Sequence, residues 1–339
     1  MPDFSIGVDL GGTNLRVAAF TSEGQLLEKV SLGTKVSLGP DHVVNEMCDS
    51  IRGLAHKYSH KGAFQGAGIG VLGIIDLETG MMRKSANFPG WTEYPARAEI
   101  ERRLGFPVIL ENDGNVAALG EKWMGAGRFV PNMAMVTLGT GIGGGIVLDG
   151  KIWHGLHGMA GEFGHMTVEP EGVPCGCGSH GCAERYASAT ALVRMAQEAA
   201  AHGDAPGLVK ALASDPEFGS KAIYNLAMQG DEGAQRLMRR FGQYLGIMMG
   251  DIINALNLDM YVIGGGVSSA WDAFAPAMFQ EMRERSLVYA ATAPADPLGD
   301  EKRGLGRAGN PERKTIVTRA LLGSDAGLYG AARMPIMSA

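Results

Sequence analysis

The most specific chemistry in this chain lies in one short stretch. Residues 161–184 read GEFGHMTVEPEGVPCGCGSHGCAE, with Cys175, Cys177 and Cys182 in a C-x-C-x4-C run and His165 ten positions ahead of the first. Three sulfurs and one imidazole make a complete tetrahedral zinc set. Gly176, Gly178 and Gly181 tolerate the backbone angles needed to fold those sulfurs around one ion. Four protein ligands leave no open position, so the metal reads as structural rather than Lewis-acidic. With one ring nitrogen of His165 on zinc, the other carries the proton and becomes a fixed donor. Glu162 and Glu184 bracket the set. One donor and two carboxylates suit a polyhydroxylated ligand. A knuckle remote from any ligand, with surface glutamates, is the alternative.

Two glycine turns come next. Asp9, Gly11, Gly12, Thr13 and Asn14 close one strand; Thr137, Gly139, Thr140 and Gly141 close another. Such turns bring backbone N–H groups and a Thr hydroxyl up to phosphate oxygens. A neighbouring Asp can hold the water around Mg²⁺. Neither turn matches a P-loop or the dinucleotide fingerprint, and a hairpin can use Gly for geometry alone. Gly264, Gly265 and Gly266 form a third turn, placed between strand and helix where the adenosine end of a nucleotide would lie.

Asn112 and Asp113 follow the apolar run PVILE, at the strand end where α/β sheets open toward ligands. Asp113 stands at a helix N-terminus, where the macrodipole favours a carboxylate. It reads as the helix cap or as a general base for a hydroxyl attacking a γ-phosphate. In the loop NFPGW at 87–91, Asn87 is a sugar contact or a turn residue, and Trp91 stacks on a sugar or anchors its loop. His154, His157 and His180 read as surface or hydrogen-bonded side chains rather than ligands.

The elements that position these residues follow from periodicity. Strands at 4–10, 15–20 and about 25–36 make a three-stranded antiparallel start, and a helix opens at Pro40 and Asp41 with Val43, Val44, Met47, Ile51 and Leu54 inward. A buried strand AGIGVLGIID precedes one at 77–82, and a helix at 96–103 precedes the strand 107–111 and the helix from 113. VDLGGTNLRVAAF and VTLGTGIGGGIVL then align without gaps at an offset of 128 residues. They are a duplicated hairpin, and so two domains of related architecture, or two unrelated hairpins. Helices at 186–202, two within 206–228, 231–256 and 271–286 surround a strand at 260–263. Residues 290–313 read as an exposed loop, followed by a strand at 314–318 and a helix at 325–334.

Composition narrows the class. The 339 residues allow two domains. Hydrophobic content of 45% and charge of 19% are ordinary, whereas 51 glycines are about twice the usual share. A net charge of −6 gives no nucleic-acid footprint. No apolar run spans a membrane and no basic leader precedes the first strand. The expectation is a cytoplasmic protein with reduced cysteines. Cys48, alone in an apolar helix pattern, is a small buried hydrophobe.

IGVDLGGTNLRVA, NDGNVAALGE, VTLGTGIGGGIV, GMAGEFGHM, CGCGSHGCAE and VIGGGVS together resemble the ROK family (repressors, open reading frames and sugar kinases), over nearly the whole chain. The resemblance implies an α/β, actin-like/hexokinase-like (ribonuclease H-like) two-domain fold with a cleft between domains and a zinc-binding loop, 165–182. The expected domains are 1–112 with 320–339, and 113–319. It also implies Asp113 as the base acting on a sugar 6-hydroxyl, and sugar contacts from Asn87, Asn112, Glu162, His165 and Glu184. The implied zinc ligands are His165, Cys175, Cys177 and Cys182. ATP with Mg²⁺ falls to the Gly11–Asn14 and Gly139–Gly141 turns, together with Asp9, Thr137, Gly265 and Gly266. Asn87 resembles the glucokinase branch, which commonly has Leu where Phe88 stands. The expected activity is an ATP-dependent hexokinase, glucose first, with N-acetylhexosamine and fructose kinases as alternatives, in a homodimer or dimer of dimers. Repressors of the family carry a DNA-binding domain ahead of the first phosphate hairpin. Here that hairpin starts at residue 4 and the charge is acidic, which argues against that class.

Overall fold

The computed structural model describes residues 2–85, 88, 90–203, 205–303, 310 and 312–338. The first sheet grows from three strands, β1 (Phe4–Leu10), β2 (Asn14–Thr21) and β3 (Leu26–Gly33), which pair antiparallel in sequence order. The third strand stops at Gly33, short of the expected Val36; residues 36–38 form a 3-10 turn. After α1 (Pro40–Tyr58), β4 (Phe64–Val71) returns parallel to β1. A small hairpin follows, β5 (Ile74–Asp76) and β6 (Met81–Lys84). A strand is expected at 77–82, but the chain turns there because the Asp76 carboxylate accepts the amides of Glu78 and Thr79 at 3.1 and 3.0 Å. Then α2 (Ala96–Leu104) leads to β7 (Val108–Asn112), parallel to β4, and α3 (Asp113–Met124) starts at once. The sheet order is β3-β2-β1-β4-β7.

The second sheet repeats that order. Its strands are β8 (Met133–Leu138), β9 (Ile142–Leu148), β10 (Lys151–Ile152), β11 (Met260–Gly264) and β12 (Ile316–Arg319), arranged β10-β9-β8-β11-β12. Leaving out the β5–β6 hairpin, both sheets read third, second, first, fourth, fifth. Leu10 and Leu138 end the paired strands, and Asn14 and Ile142 begin the returns, each pair separated by the sequence offset of 128 residues. The repeated hairpin therefore belongs to a repeated architecture.

The long insertion between β10 and β11 carries the zinc-type loop and four helices, α4 (Ala189–Ala201), α5 (Pro206–Ser214), α6 (Ser220–Met228) and α7 (Glu232–Leu256). The first of these starts three residues later than periodicity suggests, because Ser188 caps it by accepting the Ala191 amide at 3.1 Å. After β11 come α8 (Trp271–Arg285), α9 (Leu287–Thr292) and α10 (Pro297–Arg303). The exposed loop expected at 290–313 is thus partly helical; residues 304–309 and 311 lie outside the described residues. The chain ends in α11 (Ala326–Ser338).

By contacts the chain divides into two units: Met1–Met133 with Gly145–Gly161 and Leu321–Ala339, and Ala134–Gly144 with Glu162–Ala320. This differs from the expected division at 112/113, since residues 113–133 and 145–161 group with the first unit. Packing explains the difference. In the first unit, β1 buries Phe4, Ile6, Val8 and Leu10 against Val43, Val44, Met47 and Ile51 of α1. On the other face lie α3 and α11, which cross at backbone contact: a Cβ on Gly330 would fall 1.7 Å from the Val116 carbonyl oxygen, and one on Gly120 would fall 2.0 Å from that of Ala326. The buried Glu121 carboxylate of α3 accepts the amides of Ala126, Leu321 and Leu322 at 2.8, 3.1 and 2.7 Å. It therefore holds the returning chain to this unit. Cys48 is fully buried in the same core and its thiol is pushed up to about 11 by that burial.

Gly330→Ala should lower stability by about 1–3 kcal/mol, because the added methyl meets backbone rather than a movable side chain. Gly53→Ala, in α1 with open space around the position, should be neutral or stabilise by up to about 1 kcal/mol. Thermal unfolding of the two variants checks the contrast, and equal melting temperatures would refute the close crossing.

Candidate active site and metal centre

In the first unit, Leu10, Val71 and Asn112 stand side by side in register at the carboxyl ends of β1, β4 and β7. The Gly11–Thr13 turn and Asp113 each lie one residue beyond. They are therefore about 10 Å apart along one sheet edge, two strand spacings of about 4.8 Å. Asn112, not Asp113, caps α3. Its Oδ1 accepts the amides of Gly114 at 2.8 Å and Asn115 at 3.3 Å, and its Nδ2 reaches the Gly73 carbonyl at 3.5 Å. Asp113 occupies the first helical position, so the choice left open between cap and base falls against the cap. Asn112, expected to touch sugar, has its oxygen committed to the helix.

Asp9 is paired with Arg16, whose guanidinium also donates to the Ser324 carbonyl at 2.6 Å. Burial raises the Asp9 carboxyl above its ordinary range, opposed by Arg16. Thr13 and Asn14 are exposed at the turn.

In the second unit, the Gly139–Gly141 turn is enclosed by its neighbours. Its Gly139 carbonyl accepts from Ala189 N, at the start of α4, at 2.9 Å. The Thr190 hydroxyl donates to the Thr140 carbonyl at 2.8 Å. Gly265, with φ at +82°, lies so close to Leu138 that a Cβ would fall 2.4 Å from its carbonyl oxygen; only glycine accepts both conditions. The second and third glycine turns are therefore adjacent. Thr137 flanks them, half-buried. Glu184 joins this group, because its Oε2 accepts the Ile142 amide at 3.1 Å.

The cysteine loop is stitched by Val168 N donating to the Gly181 carbonyl at 2.9 Å and Ala183 N to that of Met166 at 2.8 Å. The four expected ligand atoms of His165, Cys175, Cys177 and Cys182 lie within 4.8 Å of one another. Cys177 Sγ is 3.7 Å from Cys182 Sγ, and Cys175 Sγ is 3.7 Å from His165 Nδ1. A tetrahedral zinc with bonds of about 2.3 Å to sulfur requires ligand separations of about 3.8 Å, so the donor set fits zinc. Burial, then the Cys177 and Cys175 sulfurs, push the Cys182 thiol up to about 12. Three adjacent thiolates need a cation beside them. With Nδ1 toward the sulfurs, His165 Nε2 faces Glu162 at 3.9 Å. The ring thus has one nitrogen for a metal and one for a ligand.

The ROK family model matches residues 5–335. This chain belongs to the ROK family. It is 36% identical over 327 residues to the glucokinase of Halalkalibacterium halodurans, covering 96% of this chain and 92% of that one. It is 39% identical over 285 residues to the glucokinase of Thermotoga maritima, covering 84% and 87%. A ROK family glucokinase from Streptomyces griseus, solved with glucose and AMPPNP, superposes with a TM-score of 0.75 at 31% identity over 98% of both chains. The two similar five-stranded sheets of this ROK chain are those of the actin-like/hexokinase-like fold.

Of the expected site residues, Asp9, Gly11–Asn14, Asn112 and Asp113 share one sheet edge of the first unit. Glu184, Gly139–Gly141 and Gly265–Gly266 form one cluster in the second, and Glu162 and His165 lie together beside the cysteines. Asn87 lies outside the described residues. Trp91 is 1% exposed and packs on Phe88 and Tyr94, so it anchors its loop. His157 and His180 are exposed and outside the ligand set. Residue reasoning passed over Glu111. It is 4% exposed, its Oε1 accepts from Asn112 N at 2.8 Å and Asn115 Nδ2 at 2.9 Å, and Oε2 lies 2.6 Å from His154 Nε2. A carboxylate ending the otherwise apolar run PVILE was the available signal.

Metal analysis should find one zinc per wild-type chain and almost none in Cys177→Ser, with a lower melting temperature on chelation. A wild-type protein purified and reconstituted without bound zinc would exclude the assignment.

Proposed function

We propose that this chain is an ATP-dependent glucokinase that transfers the γ-phosphoryl group of ATP to the 6-hydroxyl of glucose. The observation that carries the mechanism is the division of labour at the start of α3. Asn112 accepts the first helical amides, and Asp113 follows at the helix N-terminus on the same sheet edge as the Gly11–Asn14 turn. The relatives named glucokinase, aligned over most of this chain, favour glucose as the acceptor.

In this reading the 6-hydroxyl donates its proton to the Asp113 carboxylate as its oxygen attacks the γ-phosphorus; the bond to the β–γ bridging oxygen breaks and ADP leaves. Asp113 takes the proton as general base at the positive end of the helix dipole. The backbone amides of the glycine turns would hold phosphate oxygens, and Arg16 fixes the Asp9 carboxylate, which would hold water of a nucleotide-bound Mg²⁺. Bound Mg²⁺ would neutralise charge on the β- and γ-phosphates. His165, Cys175, Cys177 and Cys182 would hold a structural zinc, which would fix the His165 ring. Its Nε2, Glu162 and the second oxygen of Glu184 are the second unit's groups for sugar hydroxyls, and the Nδ2 of Asn112 is the first unit's. We further propose a homodimer acting in the cytoplasm; no described helix is long and apolar enough to cross a membrane.

A coupled ADP-release assay over glucose, mannose, fructose and the N-acetylhexosamines tests the reading, with glucose expected to give the highest kcat/KM. Asp113→Asn should lower kcat by about a hundred- to ten-thousand-fold while the Kd for glucose changes little. Turnover on none of these sugars would sink the kinase assignment. Near-normal turnover in the variant would remove Asp113 as base.

A further inference from the structure

We infer that Glu111 and His154 form a positioning pair that sets the orientation of the Asn112–Asp113 corner, and through it the base. The inference rests on the glucokinase reading, and its test separates the two.

A buried carboxylate is stable only if donors surround it. Among the described residues Glu111 has three, and two come from Asn112 and Asn115, which flank Asp113 and Gly114: the Asn112 amide at 2.8 Å and the Asn115 side chain at 2.9 Å. Asn112 is at the same time tied by its own side chain to the amides of Gly114 and Asn115. Asn112 and Asn115, which flank the Asp113–Gly114 pair, are thus referred to one carboxylate. Reorienting the Asn112 backbone, to which Asp113 is attached, breaks the hydrogen bond from its amide to Glu111.

The third donor is His154 Nε2, 2.6 Å from Glu111 Oε2 and 43 positions away in sequence. Its backbone is held independently, since the His154 carbonyl accepts the Ala160 amide at 3.1 Å and Trp153 N donates to the Ile146 carbonyl at 2.8 Å. The ring therefore acts as a strut from outside the β7–α3 corner. The Glu111 carboxylate beside it favours the protonated ring, against partial burial. His154 contributes little to the core, because its side chain is 40% exposed. This separates a positioning role from a packing role: shortening the ring leaves no large cavity, yet leaves Glu111 Oε2 without its donor. A buried acceptor that loses its partner relaxes toward another, and the remaining described partners of Glu111 are Asn112 N and Asn115 Nδ2, which flank Asp113 and Gly114. A displacement of about 1 Å at a reacting group can cost about a hundredfold in rate.

The test compares steady-state kinetics of wild type, His154→Ala, His154→Gln, Glu111→Gln and the double variant His154→Ala/Glu111→Gln. His154→Ala should lower kcat by at least tenfold and leave KM for ATP within about threefold. His154→Gln, whose amide can donate to the same oxygen, should recover most of the rate. The double variant should be no slower than the slower single one, since both break one unit. Wild-type kcat in His154→Ala, no recovery in His154→Gln, or losses that multiply would each overturn the pair. If Glu111→Gln does not fold, the comparison of His154→Ala with His154→Gln decides alone. Inactivity of the wild-type enzyme on every hexose would instead refute the kinase reading.

Discussion

The first turn of α3 must find an acceptor for its unpaired amides, and Asn112 supplies it. That one capping contact organises the first unit's contribution to the site. A helix N-terminus leaves several N–H groups without partners, and the commonest solution is a short polar side chain one residue ahead. Because Asn112 fills that role, Asp113 enters the helix itself, at the positive end of its dipole. The cap also fixes where β7 stops, and the sheet register then sets Asp113 on the same edge as the Gly11–Thr13 turn. Tight packing behind it, with Gly120 and Gly330 at the α3–α11 crossing, removes the freedom of the helix to shift along its axis.

The second unit solves a different problem, that of ordering a glycine-rich loop with little apolar surface of its own. The sulfurs and imidazole converge at the spacing a tetrahedral ion requires, and cross-loop backbone bonds hold the flanks. His165 links the two functions of the segment, with one nitrogen turned to the sulfurs and the other to Glu162. Glu184 links it to the second glycine turn, because its carboxylate holds the Ile142 amide at the end of that turn. Ligand spacing, turn geometry and sugar-type side chains are therefore mechanically connected within one unit.

Much of this was legible in residue order. The ligand run at 165–182, the glycine turns, the strand ending at Asn112 and the duplicated hairpin are all set by spacing over a few residues, where local geometry dominates. The boundaries that moved did so for equally local reasons: the Asp76 side chain turned an expected strand into a hairpin, and Ser188 delayed the start of α4. The contact grouping differs from a division at 112/113, because α3 packs on α11, about two hundred positions further on, and nothing in α3 alone announces it. Trp91 had two open roles, and its burial against Phe88 and Tyr94 assigned it to the loop.

By itself the sequence determined the donor set, the turns that can approach phosphate, and the carboxylate at the end of a strand. Each depends on residue type and short spacing, which the chain carries wherever it folds. Tertiary structure decided which of Asn112 and Asp113 is the cap, which helix backs the base, and that His154 meets Glu111. Those outcomes depend on pairings between distant segments, chosen by register, burial and the need of buried polar groups for partners. A linear reading shows that Glu111 and His154 exist; only the folded chain makes one the donor the other requires.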